Sequence, residues 1–510
     1  METCRKQHLG YKLSIPAEPA LGSASYLTCW ELHMTAVSRP TLAPASGHSV
    51  ATVLDSIGFT RAQFWIFMLI LAGEFFDTLE QNSVGAMGTN IKNSLQIGDF
   101  QLTSINTATV IGGLIGRLLA GYLADKYGRR FALSLNLLVY SLGGLISALS
   151  VNYEMLLVSR LIVGIGIGGE FMIGIVMISE MVATKYRGTA IGAINVGAGG
   201  LGNFISYGLF LLLLGPLESP LGGADTVWRW SFVILAVPAL FVVFYRRRLP
   251  ETPRFLLSKG RVEEANRSLA ILASNTLKYT GARPPVELTP EDLPPVKMSA
   301  SPTAVFSRPV IRRTAALGIA SWMAFGSQVT LNFLMPTLLV ERGYSVAESL
   351  LYTMIMNVGS LLGATTAALI AGRVGRRTAV GAAGVLGCLT ALAFAGLGDS
   401  TGAILVLGAL FQFFTMVTNT TLAGWTAEVF PTKIRASGAS IVNGIGNIAG
   451  AVMPFLAVAL YGSFAFAGVF GLAAVMYAIL VIASRFAPET RGRSLEDVNE
   501  NAIAQAAATH

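Results

Sequence analysis

Apolar residues gather in runs of about twenty, the length at which a helix rising 1.5 Å per residue crosses a hydrocarbon core about 30 Å thick. Runs of this kind lie near 62–86, 103–124, 130–150, 153–178, 188–214 and 227–245. A polar stretch follows over 246–310, punctuated by Pro284, Pro285, Pro290, Pro294 and Pro295. Six further runs lie near 312–338, 346–371, 378–398, 401–426, 437–460 and 464–484. The pattern predicts an all-α membrane protein with twelve transmembrane helices in two pseudo-symmetric six-helix bundles. The expected segments are a cytoplasmic tail over 1–60, a first bundle over 61–245, a cytoplasmic linker over 246–310, a second bundle over 311–485 and a cytoplasmic tail over 486–510. Within the linker, Val262, Ala265, Leu269 and Leu272 recur at helical spacing, which predicts a short amphipathic helix over 261–274 acting as a surface brace or a regulatory element.

Composition agrees with a lipid environment. Only 13% of the 510 residues are charged and 53% are hydrophobic, against about a quarter charged in a typical soluble protein. The net charge of +8 would suit a nucleic-acid partner if it formed a patch. It is spread instead over alternate loops. Lys126, Arg129 and Arg130 follow the second run, Lys185 and Arg187 the fourth, Arg373, Arg376 and Arg377 the eighth, and Lys433 and Arg435 the tenth. The opposite loops carry only Lys92, Arg229 and Arg342. The positive-inside rule then puts both termini in the cytoplasm of a multi-pass cell-membrane protein, with the lipid bilayer and no nucleic acid as partner. No secretory signal is visible in the first sixty residues, and Met34 is a candidate true start. Cys4, Cys29 and Cys388 have no metal or disulfide spacing, and His8, His33, His48 and His510 all fall outside the apolar runs. Neither a phosphate-binding loop nor a nucleophile–base set stands out, so no enzymatic chemistry, metal or cofactor is expected.

The two halves repeat each other. Gly121-Tyr-Leu-Ala-Asp125-Lys-Tyr-Gly128-Arg129-Arg130 after the second run aligns with Ala368-Leu-Ile-Ala-Gly-Arg-Val-Gly375-Arg376-Arg377 after the eighth. Glu180 to Gly188 after the fourth aligns with Glu428 to Ser437 after the tenth. Parallel repeats of this kind occur in transporters. The chain resembles the major facilitator superfamily in these loops, in Arg160-x-x-x-Gly164-x-Gly166-x-Gly168, and in the Pro-Glu-Thr motifs at 250–252 and 488–490. The resemblance spans about 60–496. Phe76-Asp77-Thr-Leu-Glu80 is similar to the acidic first-helix motif of aromatic-acid symporters, with Glu80 where that motif has a second aspartate. Gly168-Gly169-Glu170-Phe171 resembles the fourth-helix signature of metabolite symporters, and Gln328 and Asn332 stand in the seventh helix without the paired glutamines of sugar porters. The resemblance implies a proton-coupled symporter of a small organic acid or related metabolite, working as a monomer by alternating access. A uniporter or an efflux antiporter on the same fold, and a non-transporting sensor, are the alternatives.

Charge at bilayer depth is costly, which makes each intramembrane charge a functional candidate. Glu74, Asp77, Glu80, Arg117, Arg160 and Glu170 all lie in the first half. Glu80 and Arg160 each sit about six residues from the outer ends of their helices, roughly 9 Å deep. This depth match predicts a pair between Arg160 and Glu80, Asp77 or both. Such a pair is either a moving proton switch, with Asp77, Glu80, Arg160 and Glu170 as coupling residues, or a static lock between helices. Glu170 is a second proton site, a substrate contact or a protonated interhelical acid. Gly121, Asp125, Gly128, Arg129, Arg130, Arg187, Gly375, Arg376 and Arg377 are expected to form gate latches at the cytoplasmic surface. Arg117 belongs either to that latch or to a substrate path. Glu74, Gln328, Asn332, Asn357, Gln412, Asn419 and Asn443 are the expected substrate contacts, with interhelical glue as the alternative for each amide.

Overall fold

The computed structural model describes residues 49–237, 248–289, 305–371, 373–397, 400–430 and 434–491. The tail through residue 48 with Met34, the end of the sixth expected span, the linker over 290–304 and the chain beyond 491 lie outside the described residues. So do Gly372 and Lys433.

Among the described residues the first bundle opens with α1 (Val50–Ile57) and then α2 (Arg61–Ala86), the first pass. A capping box starts α2: the Thr60 hydroxyl accepts from the Gln63 amide at 3.3 Å and the Gln63 side chain accepts from the Thr60 amide at 3.0 Å. After α3 (Gly88–Leu95) come α4 (Asp99–Tyr127) and α5 (Arg129–Ala148). The fourth pass is broken into α6 (Tyr153–Gly168) and α7 (Glu170–Met181). The fifth runs through α8 (Thr184–Ile194), a π-helix (Asn195–Gly202) and α9 (Asn203–Leu214). The described part of the sixth is α10 (Ala224–Leu235). Two short helices, α11 (Pro253–Ser258) and α12 (Val262–Leu272), follow at the surface, where Ala265, Leu269 and Leu272 are buried.

The second bundle comprises α13 (Arg308–Glu341), α14 (Val346–Ile370), α15 (Arg376–Leu397), α16 (Thr401–Val429) and α17 (Arg435–Ser484). At 50 residues α17 is about 75 Å long by its rise, twice what a bilayer needs. Ala465 breaks it with a φ of 50°, so it makes two passes. The result is an all-α protein of twelve passes.

Glycine sets the helix spacing. A Cβ on Gly164 would collide with the Thr109 carbonyl, and one on Gly168 with the Gly113 carbonyl, so α4 and α6 meet backbone to backbone. The second half repeats this where Gly359 and Gly363 of α14 meet the Ala409 and Phe413 carbonyls of α16. Small residues permit such approach where lipid supplies no hydrophobic drive between helices. The glycines of the fourth-helix motif are therefore explained by packing.

Contacts between the bundles gather at the end remote from the Gly-Arg-Arg loops. There a Cβ on Gly85 would lie 2.7 Å from the Phe333 carbonyl. The Thr107 hydroxyl donates to the Ala451 carbonyl at 2.9 Å, and the Phe100 and Phe455 rings stand 5.1 Å apart. Lys92 pairs with Asp99 and lies 3.8 Å from Glu341 of the other bundle. Toward the basic end, Gly121, Gly188, Gly192, Gly424 and Gly444 face open space within 4 Å.

Candidate functional site

Between the bundles lies a cavity of about 180 Å³. From the first bundle α2 contributes Thr78, Gln81 and Asn82, α4 contributes Asn106, Thr109 and Arg117, and the fifth pass contributes Gly199 and Asn203. The second bundle supplies Phe325, Gln328, Asn332 and Phe333 from α13 and Asn447 from α17. The π-helix brings the fifth pass into this wall. Such bulges are rare and concentrate at functional sites.

Most amides in the wall are already oriented. Asn82 donates to the Asn203 side chain at 2.8 Å and to Ser206 at 3.3 Å, and Asn203 donates to the Gly199 carbonyl at 2.6 Å. Gln412 donates to the Asn332 side chain at 2.6 Å, and Gln328 lies 3.3 Å from the Met416 sulfur. Asn106 is different: its buried amide nitrogen has no hydrogen-bond partner among the described residues.

Asn332 also carries a backbone feature. Pro336, four residues on, has no N–H to give its carbonyl. The Tyr207 hydroxyl of α9 donates to that carbonyl at 2.7 Å, across the bundle boundary. A proline in one bundle thus exposes an acceptor that a tyrosine of the other fills.

The intramembrane charges divide into three groups. Arg160 donates to Glu80, and its ring neighbour Phe232 lies 5.0 Å from the guanidinium carbon. These two side chains are 1% and 0% exposed, and the pair is sealed behind the cavity wall. Arg160 Nε reaches the lining residue Thr109 at 3.4 Å. Asp77 is not the hydrogen-bonded partner of Arg160. Glu74, Asp77 and Glu170 form the second group. All three are buried, and Glu74 Oε1, Asp77 Oδ1 and both Glu170 carboxyl oxygens have no hydrogen-bond partner among the described residues. Asp77 lies within coulombic reach of Glu170, Glu74, Glu80 and Arg117. Glu170 is the first residue of α7, where the helix dipole favours negative charge. Arg117 forms the third group. It lines the cavity, and its Nε donates to the Gly168 carbonyl at 3.1 Å.

Of the expected substrate contacts, Gln328 and Asn332 lie on the cavity wall. Gln412 stands behind Asn332 and orients it. Asn357 donates to the Thr353 carbonyl at 2.9 Å and accepts from Ser360 at 3.1 Å within its own helix. Asn419 donates to the Thr415 carbonyl at 3.2 Å, and the Asn443 carbonyl accepts from Asn447 at 2.7 Å. Glu74 packs against Gly174 instead of the cavity. The sequence reading missed Thr78, Gln81, Asn82, Asn106, Thr109 and Asn203. Their signal was present: 78, 81 and 82 on α2, and 106, 109 and 117 on α4, recur at helical spacing inside apolar runs.

The Gly-Arg-Arg loops build one clamp twice. Glu251 accepts from the Arg129 amide at 3.0 Å and the Arg130 amide at 3.1 Å, capping the start of α5. Glu180 joins Arg129 at 3.3 Å and accepts from the Thr252 hydroxyl at 2.7 Å. In the second half Glu489 accepts from the Arg376 amide at 2.8 Å and the Arg377 amide at 3.1 Å. There Glu428 joins Arg376 at 2.8 Å and accepts from Thr490 at 2.6 Å. A Cβ on Gly128 or Gly375 would collide with these capping carboxylates. Burial pushes the Glu251 carboxyl above the usual glutamate range, against the pull of the Thr252, Arg130 and Arg129 amides. Burial also pushes Glu428 upward, but Arg376 and Thr490 outweigh it and hold that carboxyl below the usual range. Asp125 is 80% exposed and reaches Arg129 only at 3.4 Å, so the capping role falls to Glu251. Arg187 stands apart, with Nε and Nη2 buried and unbonded among the described residues.

Residues 45–502 match a family model described as sugar (and other) transporter. The niacin transporter of Acinetobacter baylyi is 27% identical, over 87% of this chain and 98% of that protein. The glucose transporter of Staphylococcus epidermidis is 28% identical, over 77% of this chain and 86% of that protein. Among solved structures, the inward-open xylose transporter of E. coli superposes with a TM-score of 0.67 at 18% identity, over 86% of this chain and 99% of that one.

Proposed function

For a chain that belongs to the sugar (and other) transporter family of the major facilitator superfamily, we propose proton-coupled symport of a small organic acid by alternating access at a cell membrane. Transport itself follows from the family. The proton and the acid are our reading, and one observation carries it. Buried carboxyl oxygens without a hydrogen-bond donor among the described residues, Asp77 Oδ1 and both oxygens of Glu170 first among them, stand beside a cavity that holds a guanidinium. Burying an unpartnered carboxylate is costly, and a proton removes that cost. A carboxylic substrate in turn offers the guanidinium a counter-ion.

In this cycle the protein works as a monomer with both termini in the cytoplasm, in keeping with the basic loops. The contacts between Gly85 and Phe333, Tyr207 and Asn332, and Lys92 and Glu341 close the outer end, and the cavity opens inward. Protonation of Asp77 and Glu170 and loading of the cavity precede rocking of the bundles. Arg160 and Glu80 hold α2 to α6 throughout and do not exchange protons, which favours the static form of that pair. The duplicated clamps act as latches within each bundle. The niacin transporter among the relatives fits a carboxylic substrate, since niacin is a ring carboxylic acid.

The test is uptake of labelled nicotinate and benzoate into proteoliposomes under an imposed proton gradient. Accumulation that collapses on adding a protonophore is the expected result. Accumulation that persists unchanged after the gradient is gone would refute symport, and equilibration without accumulation would make the protein a uniporter.

A further inference from the structure

Arg117 is the one cation among the described residues lining the cavity. A guanidinium has five N–H donors. Here one of them serves the Gly168 carbonyl, and among the described residues no carboxylate is paired with it, Asp77 acting on it only at coulombic range. Its charge is held at bilayer depth, an expensive place for an arginine without a contacting counter-ion. The rest of the polar wall is neutral. Gln81, Asn82, Asn106, Gln328 and Asn332 offer amides, and the Asn106 nitrogen is unbonded. Phe325 and Phe333 supply two aromatic surfaces on the opposite bundle.

From this arrangement we propose that Arg117 anchors the carboxylate of the transported molecule, and that the site takes a small flat monocarboxylate whose body rests on Phe325 and Phe333. This rests on the transport reading above and adds the atom that selects the substrate. Arginine suits the role because its planar fork binds a carboxylate through two parallel hydrogen bonds, a geometry that a lysine ammonium lacks. Asp77, on the neighbouring helix, faces the same guanidinium without touching it and competes with the ligand's charge. Gln81 on α2 and Asn106, on α4 with Arg117 itself, meet the remaining polar atoms of the ligand. A neutral sugar would satisfy the amides and leave the cation unanswered.

The experiment uses purified full-length protein in detergent, with binding of benzoate against benzamide and of nicotinate against nicotinamide. Each pair keeps shape and exchanges a charged for a neutral group. Wild type should prefer both acids by about tenfold or more. Arg117→Gln should abolish or reverse that preference, and Asp77→Asn should tighten acid binding. Arg117→Lys keeps the charge and guards against a folding defect. It should bind the acids several-fold more weakly than wild type with the amides unaffected. A preference retained in Arg117→Gln, equal acid affinity in Arg117→Lys, or failure of both acids to bind wild type would each overturn the proposal. No gradient exists in detergent, so proton-independent transport would sink the symport reading and leave this one standing.

Discussion

Replacing Tyr207 by Phe removes one oxygen from a fully buried ring and leaves its packing intact. The Asn332 carbonyl has no helical donor because Pro336 sits four residues on, so the tyrosine hydroxyl at 2.7 Å replaces it. Without that hydroxyl the carbonyl is left unpartnered at the closed bundle boundary, which costs about 1–3 kcal/mol. The penalty applies only while the outer ends are together. Once they part, water reaches the carbonyl in either protein. The closed-outside to open-outside ratio should therefore fall by about 5- to 150-fold. Spin labels at Val151 and Leu397, with Cys4, Cys29 and Cys388 replaced, would report the separation of the outer ends by pulsed electron resonance. A longer-distance population should grow in Tyr207→Phe. Pro336→Ala restores an N–H to the helix and should shrink that population again in the double variant, a coupling a mutant cycle can measure. Identical distance distributions in Tyr207→Phe and wild type would refute the reasoning, as would a double variant no different from Tyr207→Phe alone.

Other outcomes follow from the same geometry. Gly164→Leu should give no folded protein, because its side chain meets the Thr109 carbonyl where α4 and α6 touch; monodisperse material on size exclusion would contradict this. Glu80→Ala leaves Arg160 charged and unpaired in a sealed site, a loss of about 3–5 kcal/mol, so its melting temperature should drop sharply. Asn357→Ala, which alters a helix-internal bond away from the cavity, should leave benzoate affinity within about twofold of wild type. The Glu428 carboxyl is held below its usual range, so its stabilising contribution is complete above the unfolded value of about 4.3 and fades as pH falls through the depressed folded value. Melting of wild type should therefore weaken in acid more steeply than that of Glu428→Gln, and parallel curves would remove Glu428 from the clamp's energetics.

The passes were legible because lipid imposes a length and a composition on each one. The seam inside α17 was legible for the same reason, since no bilayer accommodates 50 residues in one crossing. The Gly-Arg-Arg loops announced themselves by repetition, and the Pro-Glu-Thr motifs by resemblance. What escaped was that these motifs touch: nothing in the spacing of 128–130 and 251 says that a carboxylate caps the helix. The depth argument brought Arg160 to Glu80 correctly but could not tell a sealed pair from one on a cavity wall, because depth fixes height and not azimuth. The same ambiguity kept Asn357 and Asn419 among the substrate contacts and left out Asn82 and Asn203, which face each other across the first and fifth passes. The π-helix at 195–202 and the break at Gly169 have no periodic signature, since each depends on close approach by a neighbouring helix.

The duplicated clamp has a consequence for how this molecule could be taken apart. Each carboxylate rivet is supplied by the chain that leaves its own bundle, Glu251 for the first and Glu489 for the second, and neither borrows from the other. A polypeptide cut between residues 290 and 304 would leave both rivets with the halves they fasten. Two co-expressed fragments, each already stiff at its Gly-Arg-Arg end, would then need only the seam at the opposite end to find one another.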